Sequence, residues 1–118
     1  MPVLEIDVIP AGERVVVRPA GDLDLGTVKR FEDALRVALD GHRSLIVDLR
    51  RVGFLDSEGL NALLRVAHRA GQRGVAFRLV RGPRRVDRLF DLTDTRSRLD
   101  FVDLPPDLGL EMPQSALG

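Results

Sequence analysis

Val52-Gly53-Phe54-Leu55-Asp56-Ser57-Glu58-Gly59-Leu60 is the stretch on which the reading of this 118-residue chain turns. Before it, Leu45-Ile46-Val47-Asp48-Leu49 is an apolar run of strand length. After it, Leu60, Leu63, Leu64, Ala67 and Ala70 recur at helical spacing. A buried strand therefore gives way to an amphipathic helix, and Asp56 and Ser57 are both residue types that cap helix starts. The first turn of a helix has backbone N–H groups without partners and carries partial positive charge, so an anionic group on Ser57 would be well received there.

Working outward, Ser44–Leu49 predicts a central strand, and Val75-Ala76-Phe77-Arg78-Leu79-Val80 a second one after a helix ending near Gly71 or Gly74. Strands joined by a helical crossover run parallel. Upstream, Val3–Ile9 alternates apolar with acidic residues, as an edge strand with one wet face does. Pro10–Glu13 reads as a turn, and Arg14–Arg18 as a β-branched strand pairing back antiparallel. Pro19–Asp24 is expected to end that strand. Asp24 or Thr27 then caps a helix whose stripe is Val28, Phe31, Leu35, Ala38 and Leu39. A last helix opens with Pro83 in its first turn, turning Val86, Leu89 and Phe90 inward and Arg84, Arg85 and Arg88 outward. Phe101–Leu104 is at most a short strand. The expected fold is one α/β domain over residues 1–104, with an open mixed sheet of four to five strands and helices packed mainly on one face. Residues 105–118, broken by Pro105 and Pro106, are expected to form a loosely held tail.

Composition closes off several chemistries. The chain lacks Cys, Trp and Tyr, which removes disulfides, thiolate metal sites and thiol nucleophiles. His42 and His68 stand without a third ligand at a recognisable spacing, so no metal is expected. A Ser-His-Asp triad from Ser57 and His68 fails on distance, since eleven residues of one helix span roughly 16 Å. Asp56 and Glu58 point to different sides of a helix start, and no glycine-rich loop suits a phosphate cofactor. No catalytic residue and no cofactor is expected. Lacking a long apolar run or a basic leader, the chain reads as a cytoplasmic protein with no membrane span. The 18 basic and 18 acidic residues balance, but Arg65–Arg98 holds ten arginines against three aspartates. One face is thus expected to be basic in excess, but no aromatic residue interleaves these arginines as stacking on nucleic acid would need, and no nucleic-acid partner is expected.

Asp56-Ser57-Glu58-Gly59-Leu60 after a strand resembles the Asp-Ser-(Ser/Thr)-Gly-Leu signature of the STAS domain of anti-sigma-factor antagonists and sulfate transporters. Gly21-Asp22-Leu23-Asp24 resembles the family's Gly-x-Leu-Asp turn, and Val86–Thr93 its late helix. The resemblance covers about Val3 to Leu104, and departs from the pattern at Glu58, where phosphorylated antagonists carry Ser or Thr. It implies a non-enzymatic antagonist, monomeric or weakly dimeric when free, that binds an anti-sigma factor with serine-kinase activity and so releases a sigma factor. Phosphorylation of Ser57, with ATP and magnesium on the kinase side, would switch it off, and a serine phosphatase would reset it. The implied partner surface is Asp22, Asp24, Phe54, Leu55, Asp56, Ser57, Glu58, Gly59, Asn61, Arg65 and His68. Charge reversal at Arg65 is expected to weaken binding and leave stability nearly unchanged. Two alternatives stand beside this: an unphosphorylated STAS adaptor subunit of a stress-signalling or lipid-transport complex, and a nucleotide or small-molecule-binding module.

Overall fold

Val15-Val16-Val17 lies at the centre of the sheet and shows why the run is continuously apolar. Val15 and Val17 face a core shared with all the helices, while Val16 packs on the opposite face with Ile46 and Val80. Strands buried on both faces lose the usual alternation. The computed structural model describes residues 3–103, so the expectation for the tail at 105–118 lies outside the described residues.

The elements in chain order are β1 (Glu5–Ala11), β2 (Arg14–Leu23), α1 (Val28–Leu39), β3 (Ser44–Asp48), β4 (Val52–Leu55), α2 (Ser57–Gln72), β5 (Ala76–Val80), α3 (Arg84–Leu92), a short 3-10 turn (Arg96–Arg98) and β6 (Asp100–Phe101). The sheet runs β1-β2-β3-β5-β6, with β4 also paired to β2. Among the described residues only β1 and β2 pair antiparallel; β2–β3, β2–β4, β3–β5 and β5–β6 are parallel. Phe31, Leu35 and Leu39 of α1, Leu60, Leu63 and Val66 of α2, and Val86 and Phe90 of α3 all join one core. The open mixed sheet with its helices on one face is therefore as expected.

Three details differ from expectation. Among the described residues the sheet has six strands, because Val52–Leu55, assigned no strand from the sequence, forms β4. It is only four residues long and contains Gly53, too short to show a period. Second, β2 continues through Pro19 to Leu23. Pro19 falls between Val17, the last residue paired to β3, and Gly21, the first paired to β4. One flank there carries no ladder that needs the missing N–H. Third, Pro10 and Ala11 belong to β1, which reaches to the tight turn before Arg14.

Candidate functional site

The site forms where the ends of β2 and β4 meet the start of α2. The Asp56 carboxylate accepts hydrogen bonds from the backbone N–H groups of Glu58 (2.9 Å) and Gly59 (3.2 Å), and so caps α2. The Asp56 N–H donates to the Leu23 carbonyl at 3.2 Å, tying the cap to β2. Ser57 is consequently the first helical residue and not the cap. It is exposed, and its hydroxyl has no hydrogen-bond partner among the described residues.

Gly59 explains itself by packing. A Cβ there would lie 2.6 Å from Leu55 Cδ1 and 2.8 Å from the Leu23 carbonyl oxygen, so only glycine lets the first turn of α2 rest on the end of β2. Leu60 then enters the core at 4% exposure. Every residue of the signature except Ser57 and Glu58 thus has a structural task.

The neighbouring turn is built with similar economy. Gly21 has φ +124°, and a Cβ would lie 2.6 Å from the Val3 carbonyl oxygen, where the chain entering β1 crosses. The Thr27 hydroxyl donates to the Asp22 carbonyl at 2.7 Å and accepts from the Asp24 N–H at 3.1 Å. Asp24 accepts from the Gly26 N–H at 2.9 Å. Thr27 is the N-cap residue of α1 by position but makes no side-chain cap bond; its hydroxyl shapes the turn instead.

Of the residues singled out from the sequence, Ser57, Phe54, Asn61, Arg65 and His68 are exposed, and Asp22, Asp24, Asp56 and Glu58 are half-buried. Leu55 and Gly59 are buried, and so hold the site up from beneath. Phe54 is half exposed, at 50%, and Leu25, two residues after β2, is 74% exposed. Arg65 is tied to α1: its guanidinium donates to both oxygens of Glu32, at 2.7 and 3.1 Å. This pairing holds the Glu32 carboxyl below its ordinary value of 4.5 and raises Arg65. Arg65 thus links two helices, so its reversal breaks an exposed ion pair as well as changing the surface. Arg98 was missed. It comes from the 3-10 turn, 30 residues after His68 in sequence, and joins Asn61, Leu64, Arg65 and His68 around an open cavity of about 470 Å³.

The Asp56 carboxylate caps the helix and leaves the adjacent Ser57 hydroxyl unengaged. The STAS domain family profile matches residues 4–103. The chain belongs to the STAS domain family. A curated relative, the anti-sigma-B factor antagonist of Staphylococcus aureus (strain NCTC 8325 / PS 47), is 31% identical over 78 residues, covering 65% of this chain and 72% of the relative. Among solved structures, this STAS domain is similar to an anti-sigma factor antagonist from Mycobacterium paratuberculosis. The TM-score there is 0.80 at 24% identity, over 92% of this chain and 93% of that one. It also resembles the anti-sigma factor antagonist SpoIIAA in its unphosphorylated form, with a TM-score of 0.72 at 18% identity over 92% and 94% of the two chains. Both likenesses establish the shared fold. No helix among the described residues is long and apolar enough to cross a membrane.

Proposed function

We propose that this STAS domain is an anti-sigma-factor antagonist. The surface around Ser57 docks onto an anti-sigma factor with serine-kinase activity, and phosphorylation of Ser57 releases it. The observation that carries the reading is that Asp56 does the capping, so the Ser57 hydroxyl is exposed and unengaged. The names of the relatives support the partner class. A serine phosphatase would restore the binding form, and the cycle would run in the cytoplasm. The domain itself then performs no catalysis.

The mechanism follows from where a phosphate would be solvated. It adds about −1.5 to −2 charges. In the free domain its attraction to the start of α2 is worth about 0.3 to 1 kcal/mol, and repulsion from Asp56 and Glu58 in high dielectric is of similar size. The fold is indifferent. In a docked interface the same group would lose water beside two carboxylates, costing several kcal/mol, and each 1.4 kcal/mol is tenfold in affinity. The partner is expelled.

Incubation with the cognate kinase and ATP-magnesium, followed by mass spectrometry, should place one phosphate on Ser57. Ser57→Ala should bind the anti-sigma factor constitutively and Ser57→Asp should bind poorly. If Ser57 stays unmodified and Ser57→Asp binds like the parent, the switch is absent. Glu58, which occupies the signature's second Ser/Thr position, would then favour the adaptor reading.

A further inference from the structure

Arg51, Arg84, Arg85 and Arg88 gather at the edge of the sheet beside the Ser57 surface, and nothing in the proposed switch uses them. All four are exposed. Arg84, Arg85 and Arg88 share the outer side of α3. The Arg85 Nε–H donates to the Gly53 carbonyl at 2.8 Å, which seats the start of α3 against β4. Arg51 lies two residues before Gly53, and its carbonyl accepts from the Gly21 N–H at 3.1 Å. The same edge is closed by the Leu49 N–H donating to Val80 at 3.1 Å. The β3–β4 turn and the entry to α3 are thereby adjacent.

These arginines differ from most others in the chain. Arg36 and Arg65 pair with Glu32, Arg43 with Glu13, Arg73 with Asp40, Arg18 and Arg50 with Asp48, and Arg96 with Asp87 and Asp91. The side chains of Arg51, Arg84 and Arg88 have no hydrogen bond or ion pair to a described residue, and Arg85 uses one N–H on a neutral carbonyl. The nearby acid is Asp22, whose Oδ1 and the Arg85 Nη2 lie 3.4 and 4.0 Å from one point above Gly53. Asp87, in the first turn of α3, is engaged by Arg96 at 3.0 Å. Placing arginines at a helix start also runs against the helix dipole, so they do not stabilise α3 by their charge.

We propose that Arg51, Arg84, Arg85 and Arg88 form a docking surface for an acidic segment of a protein partner, continuous with the Ser57 surface across Gly53 and Phe54. The choice of a protein rests on the reading of Ser57 given above; the positive surface stands without it. Size also favours a short acidic segment over nucleic acid. The nine residues of α3 span about 13 Å at 1.5 Å per residue, enough for a few carboxylates on two helical turns. A nucleic-acid binder ordinarily neutralises about six to ten phosphates. Exposed guanidinium groups steer a carboxylate-bearing partner at long range and act most strongly on its association rate.

The test measures fluorescence anisotropy of a labelled oligoglutamate peptide at low ionic strength with the intact protein. The combined variant Arg51→Glu/Arg84→Glu/Arg88→Glu should bind at least about tenfold more weakly. Arg69→Glu, an exposed and likewise unengaged arginine late in α2, should bind as the parent does. Arg85 is left in place because it holds Gly53, and a thermal melt confirms that the variants fold. Equal binding by the triple variant overturns the proposal, as does an equal loss in Arg69→Glu. Tighter binding of a short DNA duplex than of the peptide overturns it in favour of nucleic acid. Ser57→Asp should leave peptide binding unchanged. With the purified anti-sigma factor, the triple variant should associate about tenfold more slowly. Peptide binding without any binding of the anti-sigma factor supports this surface and overturns the proposed function instead.

Discussion

The starts of α2 and α3 lie on either side of Gly53 and are built in opposite ways. At α2 an aspartate caps the helix, an acid follows in the first turn, and the hydroxyl between them is unengaged. At α3 the N-cap is Pro83, with no side-chain cap bond, and two arginines open the helix. The first arrangement satisfies the backbone with Asp56 and leaves Ser57 outside the energetics of the fold. The second tolerates charges that cost about 0.3 to 1 kcal/mol against the dipole when exposed. The α3 start sets two cations ahead of its one first-turn acid, Asp87, and the contrast separates the residues that hold the edge from those whose charge the fold does not use.

The contrast breaks most severely at Gly59. Gly59→Val drives a side chain into Leu55 and the backbone of Leu23, and should cost about 3 kcal/mol in urea denaturation. An unaltered midpoint would mean that α2 can lift from β2. On the α3 side, Arg96 is the anchor: it bonds Asp91 at 2.6 Å and Asp87 at 3.0 Å, and lies over the rings of Phe90 and Phe101. Arg96→Ala should destabilise by about 1 to 2 kcal/mol, while the arginines outside it should not.

Asp56→Ala should cost about 1 kcal/mol as a lost cap, whereas Ser57→Ala should stay within about 0.5 kcal/mol. Equal losses would show that the two residues share the capping and would remove the distinction between them. Arg65→Glu should cost about 0.5 to 1 kcal/mol, a surface pair's worth. Glu32 sets its pH dependence: its folded value lies below the ordinary 4.5, so its contribution is present above about pH 4.5 and is lost as pH falls through the lowered value. Glu32→Gln should flatten that part of the acid limb in thermal melts at a series of pH values. Smallest of all, Arg84→Glu should stabilise by a few tenths of a kcal/mol, because it replaces a cation with an anion at a helix start. A loss there would reveal a structural role for Arg84.

The central strands, the three helices and their buried stripes were legible because periodicity and β-branched runs report burial locally. The stripe Phe31, Leu35 and Leu39, and the inward set Val86 and Phe90, needed only the helical repeat. β4 was not legible, since four residues around Gly53 show no period and owe their conformation to β2 running alongside. The continuation of β2 through Pro19 was hidden for the same reason. Proline reads as a break until the absence of a partner on one flank is known.

At the candidate site, the sequence by itself determined that an aspartate and a serine stand at a helix start, that no cysteine or paired histidine competes for chemistry, and that arginine accumulates late in the chain. Those are properties of residue type and spacing. Which of Asp56 and Ser57 does the capping was decided by the backbone angles at the junction, where Asp56 is extended and its carboxylate reaches two N–H groups. That Arg65 joins two helices, that Arg98 arrives beside His68, and that Arg51 meets α3 were decided by the tertiary structure alone. Each depends on chain crossings that bring together residues tens of positions apart, and no local pattern carries that distance.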